Sequence, residues 1–105
     1  MNSFNDCFNS GISFFNKGNF LDALSAFHKA LNYAYSKNQK AITYWNIAIA
    51  RANNGDTVDC IFDLGEVLKY EPNHTNARQS LINFSNDTSL PSNIRELAIK
   101  KLGGY

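Results

Sequence analysis

The stretch GISFFNKGNFLDALSAFHKAL, residues 11–31, decides the fold that this sequence predicts. The segment AIARANNGDTVDCIFDLGEVL, residues 48–68, repeats its pattern after a shift of 37 positions (48 minus 11). Small residues fall on small residues and large apolar residues mostly fall on large apolar ones: Gly11 on Ala48, Gly18-Asn19 on Gly55-Asp56, Ala23 on Cys60, Phe27 on Leu64, Ala30 on Val67, Leu31 on Leu68 and Tyr33 on Tyr70. Because self-similarity at a fixed shift is the signature of repeat proteins, the sequence predicts two copies of one structural unit.

Each unit has the spacing of two helices separated by a sharp break. Apolar residues recur at steps of three and four, which is the period of one helix face. The break in the first unit is Gly18-Asn19, where Gly suits a left-handed helix end and Asn suits the cap of the next helix. The second unit breaks in the same way at Asn54-Gly55-Asp56. The predicted helices cover about residues 4–17, 20–36, 40–53 and 57–70.

Two further helical stretches follow, at about residues 74–85 and 91–102, the second starting at Pro91-Ser92. An alternating strand pattern is found nowhere in the sequence. The sequence therefore predicts an all-α fold of about six helices. The small residues of each unit let its two helices approach closely, and Phe27 and Leu64 fill the space beside them.

Composition limits the class of protein. With 105 residues the chain is long enough for one domain, and its apolar content of 44% is too high for a disordered chain. A net charge of +1 argues against a nucleic-acid binder, which needs clustered Lys and Arg. Cys7 and Cys60 form no metal-binding pattern and are expected to be buried thiols. The N-terminus shows no signal peptide and no stretch is long enough to span a membrane, so we expect a cytoplasmic protein.

The two units resemble tetratricopeptide repeats (TPRs), helix–turn–helix units of about 34 residues. The matching residues are Gly11, Phe14, Gly18, Phe20, Ala23, Phe27 and Ala30 in the first unit, and Tyr44, Ile47, Ala48, Gly55, Cys60, Leu64, Val67 and Pro72 in the second. The resemblance implies antiparallel helix pairs stacked as a short right-handed superhelix. One domain, 1–105, would then contain repeat one at about 4–36, repeat two at about 41–72, and a degenerate half repeat with a capping helix at about 74–102.

The units depart from the TPR pattern at three places. Arg51 and Thr57 stand in the second unit where the first has the aromatic residues Phe14 and Phe20. Tyr35 stands where the first unit should have proline. Three extra residues between about 35 and 40 are expected to lengthen the first pair and to change the twist between pairs.

The resemblance also implies a concave surface, lined by the first helix of each pair, that takes a peptide. The residues at these positions are Phe8, Asn9, Ile12, Phe15 and Asn16 in repeat one, and Trp45, Asn46, Ile49 and Asn53 in repeat two. Asn amides can donate to and accept from a peptide backbone, and aromatic and aliphatic residues are typical anchors. The predicted function is a non-catalytic adaptor or chaperone-like module that binds a segment of a partner protein.

Two alternatives leave this surface without a peptide. The Phe-rich N-terminal helix and the concave face are also suited to a homodimer or larger homo-oligomer. The chain's own C-terminal helix is the other possible cover for Phe8, Phe15, Trp45 and Ile49.

Catalytic and metal-binding motifs are absent from the sequence, so we predict no enzyme activity and no cofactor. Asp56, Asp59, Asp63 and Glu66 form an acidic stripe at helical spacing, which we interpret as a solvated convex face. His28 and His74 are likewise interpreted as solvated side chains.

Overall fold

The helices of the computed structural model, which describes residues 3–103, follow the predicted breaks. The six helices are α1 (Phe4–Asn16), α2 (Phe20–Tyr33), α3 (Lys37–Asn53), α4 (Thr57–Tyr70), α5 (Thr75–Asn86) and α6 (Ser92–Lys101). The described residues contain no strand, so the predicted all-α fold of six helices is confirmed. Adjacent helices pack in pairs, as α1–α2, α3–α4 and α5–α6, and the molecule measures 45 × 27 × 17 Å. This arrangement is that of a helical repeat.

Gly18 and Gly55 end the first helix of their pairs in the predicted way. Both have a left-handed backbone, with φ of 79° and 84°, which side chains with a Cβ rarely adopt. The Asn19 N–H donates to the Phe14 carbonyl (2.9 Å), and the Asp56 N–H donates to the Arg51 carbonyl (2.8 Å). These are the Schellman bonds of a glycine-terminated helix. The side chains of Asn19 and Asp56 make no capping hydrogen bond to the helices that follow, contrary to the capping expected of Asn19.

The junction between the pairs differs from the prediction because a capping box starts α3 early. We predicted α2 to reach residue 36 and α3 to start near 40. Instead α2 ends at Tyr33, and Ser36 caps α3 by accepting from the Gln39 N–H (3.0 Å). The Gln39 side chain accepts in return from the N–H groups of Ser36 and Tyr35 (3.4 and 2.7 Å). The extra residues of the first unit therefore form this short connection and the first turn of α3.

The core of each pair places small residues against one large side chain. Phe27 is fully buried against Gly11, and Leu64 is buried near Ala48 and Cys60. A methyl group added at Gly11 would overlap the Phe27 ring. The close approach that the sequence predicted is therefore present, and in the first pair it depends on a residue without a side chain.

The C-terminal helix α6 packs on α5 and α4. The Lys101 stem crosses α4 at Gly65, and its ammonium lies 4.5 Å from the centre of the Phe62 ring. The helix contributes Ala98, which is fully buried, to the core of the second pair.

Replacing Gly11 with Ala is expected to destabilise the protein by about 1–3 kcal/mol, because the new methyl group overpacks the core against Phe27. In a helix without this contact, Ala would instead be favoured over Gly by about 1 kcal/mol. The free energy of unfolding in urea, followed by circular dichroism, measures the difference.

Gly65→Ala is the matched control. The three atoms nearest to its methyl group would all belong to the flexible stem of Lys101, whose Cδ lies 2.7 Å from the added atom. Because that stem can move into solvent, we expect Gly65→Ala to be destabilised less than Gly11→Ala. Equal stabilities of the two variants would contradict the close-approach constraint.

Candidate functional site

An apolar groove opens between α3 and α5 and has a volume of about 140 Å³. Trp45, Ala48, Ile49 and Ala52 of α3 form one side, Ser80 and Phe84 of α5 form the other, and Cys60 and Leu64 of α4 form the floor. The groove exists because α4 contacts both α3 and α5 and separates them, while Ala48 and Ala52 leave space on α3. Two of the predicted site residues, Trp45 and Ile49, are thus brought into one groove.

Trp45 is held at this site by His74. The ring centres of the two residues are 5.1 Å apart and their planes are tilted by 41°. His74 also caps α5, because its Nδ1 accepts from the Ala77 N–H at 3.0 Å. A neutral imidazole that accepts at Nδ1 carries its proton on Nε2. The interpretation of His74 as a solvated side chain is therefore wrong, since the residue is half-buried and starts a helix.

The predicted asparagines of α3 lie one turn before and one turn after Ile49. The Asn46 side chain donates to the Ile42 carbonyl, and the Asn53 side chain donates to the Ile49 carbonyl, both at 2.8 Å. One N–H of each amide is thus used within the helix, while the oxygen and the second N–H remain. Asn9 and Asn16 are exposed on α1.

The apolar site residues predicted on α1 pack against their own helix pair, the first hairpin (α1–α2), and against its neighbour, the second hairpin (α3–α4). Phe8, Ile12 and Phe15 are half-buried against the cluster that contains Phe27 and Ile47. The Phe8 ring lies 5.5 Å from the Phe27 ring, and the Phe15 ring lies 5.4 Å from that of Phe20. The groove between α3 and α5 contains none of these residues.

The two residues that α5 contributes to the groove, Ser80 and Phe84, were missing from the predicted site. Phe84 belongs to the predicted inner face of α5, where it could not be distinguished from a core residue. The place of both residues in the groove depends on how α5 lies against α4, which local periodicity does not determine.

The acidic stripe on α4 is only partly solvated, contrary to its interpretation as a solvated face. Arg51 Nε lies 2.9 Å from Asp63 Oδ2, and Arg51 Nη1 lies 3.5 Å from Asp59 Oδ2. The Asp63 side chain is only 14% exposed. Burial raises the pKa of Asp63 to about 6, although the charge of Arg51 acts in the opposite direction. Arg51, which stands where the first unit has Phe14, thus has a carboxylate partner on the facing helix.

The thiol of Cys60 acts as an apolar surface at the floor of the groove. Burial, with the nearby charge of Asp63, raises its pKa to about 11. The thiol is therefore protonated at neutral pH, whereas nucleophilic and metal-binding cysteines act as thiolates.

A second, larger hollow of about 330 Å³ lies between α1 and α2. Its lining is mostly polar and includes Asp6, Ser10, Asp22, Ser25 and Lys29. Because most of this surface is polar, whereas the lining of the groove between α3 and α5 is almost wholly apolar, the groove is the better candidate site.

Comparison of the chain with protein-family models, curated proteins and solved structures gave no match. Across residues 3–103, no helix is long and apolar enough to cross a membrane. Within the same part of the chain, no group of three or more His, Cys, Asp or Glu side chains is placed to hold a metal ion.

Replacing His74 with Ala is expected to cost about 1 kcal/mol of stability, because α5 loses its cap. The Trp45 ring should also become more accessible to solvent, which acrylamide quenching of its fluorescence measures. Trp45 is the chain's single tryptophan, so the signal is specific.

His74→Asn separates the two effects. Asn is a strong capping residue, so this variant should keep the stability of the wild type while Trp45 is quenched more readily. A His74→Ala variant with unchanged stability and unchanged quenching would contradict both roles of His74.

Proposed function

We propose that the protein is a TPR-like, non-catalytic interaction module, an adaptor or chaperone-like protein, that binds a segment of a partner protein in the groove between α3 and α5. The observation that carries this proposal is the open apolar groove itself, with an aromatic residue on each side. Tryptophan is enriched among the residues that dominate binding energy, and apolar clefts with few polar groups are the usual form of binding sites.

The size of the groove favours the insertion of one large apolar side chain. A protein cavity of about 150 Å³ holds a benzene molecule, and this groove has about 140 Å³. A leucine, methionine or phenylalanine of the partner would contact Trp45 and Phe84 at the sides and Leu64 at the floor. None of the lining residues is charged, so an apolar side chain meets no unpaired charge there.

The asparagines of α3 would fix the position of the bound segment. The side-chain oxygens of Asn46 and Asn53 are free to accept from backbone N–H groups of a peptide. Because such bonds do not depend on the peptide's side chains, specificity in this proposal comes from the inserted residue.

Self-association through α1 has less support. The rings of Phe8 and Phe15 pack on Phe27 and Phe20, so the aromatic excess of the N-terminal helix is largely used inside the first hairpin. We therefore propose a partner protein rather than a second copy as the ligand.

Linear peptides selected from an unbiased display library test the proposal, with binding measured by titration of the Trp45 emission. We expect the selected peptides to share one large apolar residue and to change the emission when they bind. Phe84→Ala should weaken binding by about 2 kcal/mol, or about 30-fold in Kd, the loss typical of a central anchor.

Phe62→Ala is the matched control, because Phe62 is a phenylalanine on α4 under Lys101 and outside the groove. This variant should bind the peptides as the wild type does. Failure to select any peptide, or equal affinities of the two variants, would overturn the proposal.

A further inference from the structure

One group of charged side chains connects the first hairpin to the second. Arg51 of α3 contacts both carboxylates on α4, Asp63 at 2.9 Å and Asp59 at 3.5 Å. On its other side, Arg51 Nη2 lies 3.5 Å from Nε2 of His28, which belongs to α2. A guanidinium can only donate, so this contact requires that His28 be neutral with a free Nε2. Arg51 of α3 therefore connects polar side chains of α2 and α4.

The internal repeat shows that hairpin packing does not require the Arg51–Asp63 pair. A shift of 37 residues places Arg51 on Phe14 and Asp63 on Ala26. In the first hairpin those two apolar residues line the same hollow between α1 and α2. Replacing a buried ion pair by apolar residues is often neutral or stabilising, so the second hairpin retains charges that stability alone does not favour.

From this arrangement we propose that His28, Arg51, Asp59 and Asp63 form a pH-sensitive joint between the two hairpins, closed at neutral pH and loosened when His28 takes up a proton. At neutral pH the guanidinium has two carboxylate partners and an imidazole acceptor. After protonation, two cations face each other across the contact between α2 and α3. The hairpins then keep their apolar contact, in which Phe27 and Ile47 belong to one cluster, but lose the polar one.

His28 and Asp63 change the stability of the protein in opposite directions as the pH falls. The His28 side chain is exposed, and its partial desolvation, with the charge of Arg51, lowers its pKa below the ordinary value of 6.5. The stability that neutral His28 provides is therefore present above that value and is lost as the pH falls through the lowered pKa. Burial raises the pKa of Asp63 to about 6, so its contribution is present at low pH and is lost as the pH rises through 6.

Acidification therefore weakens the contact between the hairpins. At the same time, protonation of Asp63 removes a buried negative charge inside the second hairpin. The other titratable groups that act on the cluster are Tyr44 of α3 and Cys60 and Glu66 of α4. Tyr44 and Cys60 both have a raised pKa and stay neutral throughout this range.

Residual dipolar couplings of the backbone amides, at about pH 7.5 and about pH 5, test the proposal because they report how the two hairpins are oriented. At the higher pH, one alignment tensor should fit α1–α2 and α3–α4 together. At the lower pH, the magnitude of the alignment tensor of α1–α2 should fall below that of α3–α4. The midpoint of this loss should equal the midpoint of the His28 imidazole titration in the same sample.

Two histidine variants assign the effect. His28→Gln keeps a neutral acceptor and removes the titration, so one tensor should fit both hairpins at both pH values. His74→Asn removes the only other histidine, and here the response should persist. A single tensor for the wild type at low pH, a response retained in His28→Gln, or a response lost in His74→Asn would overturn the proposal.

Discussion

The contact between the Phe27 ring and the backbone of Gly11 is the interaction on which the arrangement of the helices depends. Burying a phenylalanine contributes about 1.5–3 kcal/mol, and here the ring is completely buried between α1 and α2. The contact requires that α1 have no side chain at this point. The second hairpin repeats it in a weaker form, with Leu64 near Ala48. Two tight hairpins of similar geometry are the result.

Helix α4 uses three different stripes of its surface for three purposes. Cys60 and Leu64 form the floor of the groove, and Asp59 and Asp63 contact Arg51. Phe62 and Gly65 carry the Lys101 side chain of α6. The proposed binding groove and the proposed joint therefore both use α4, but they have no residue in common. In this account, a ligand in the groove and a proton at the joint therefore act at separate places.

The breaks and helix faces could be predicted because they depend on local chemistry. Gly18 and Gly55 end helices through their own backbone conformation, and the three- and four-residue spacing of apolar residues identifies each buried face. The early start of α3 also has a local signal in Ser36 and Gln39, which form a capping box. The repeat pattern obscured that signal, because it placed the extra residues of the first unit in α2.

The site was less predictable because its geometry depends on contacts between distant residues. Trp45 and Ile49 were expected on the binding surface, but Phe84 joins them only because α5 packs on α4. Phe8 and Phe15 have the same spacing as the groove residues, yet they pack on Phe27 and Phe20. The pairing of Arg51 with Asp63 likewise has no local pattern, since the two residues lie on different helices.

Intermolecular nuclear Overhauser effects between the protein and a bound peptide test the central claim most directly. The groove account predicts contacts from one apolar side chain of the peptide to the Trp45 indole and to the Phe84 ring. Contacts confined to the outer surface of α2 and α4, at Leu21 or Phe62, would contradict it.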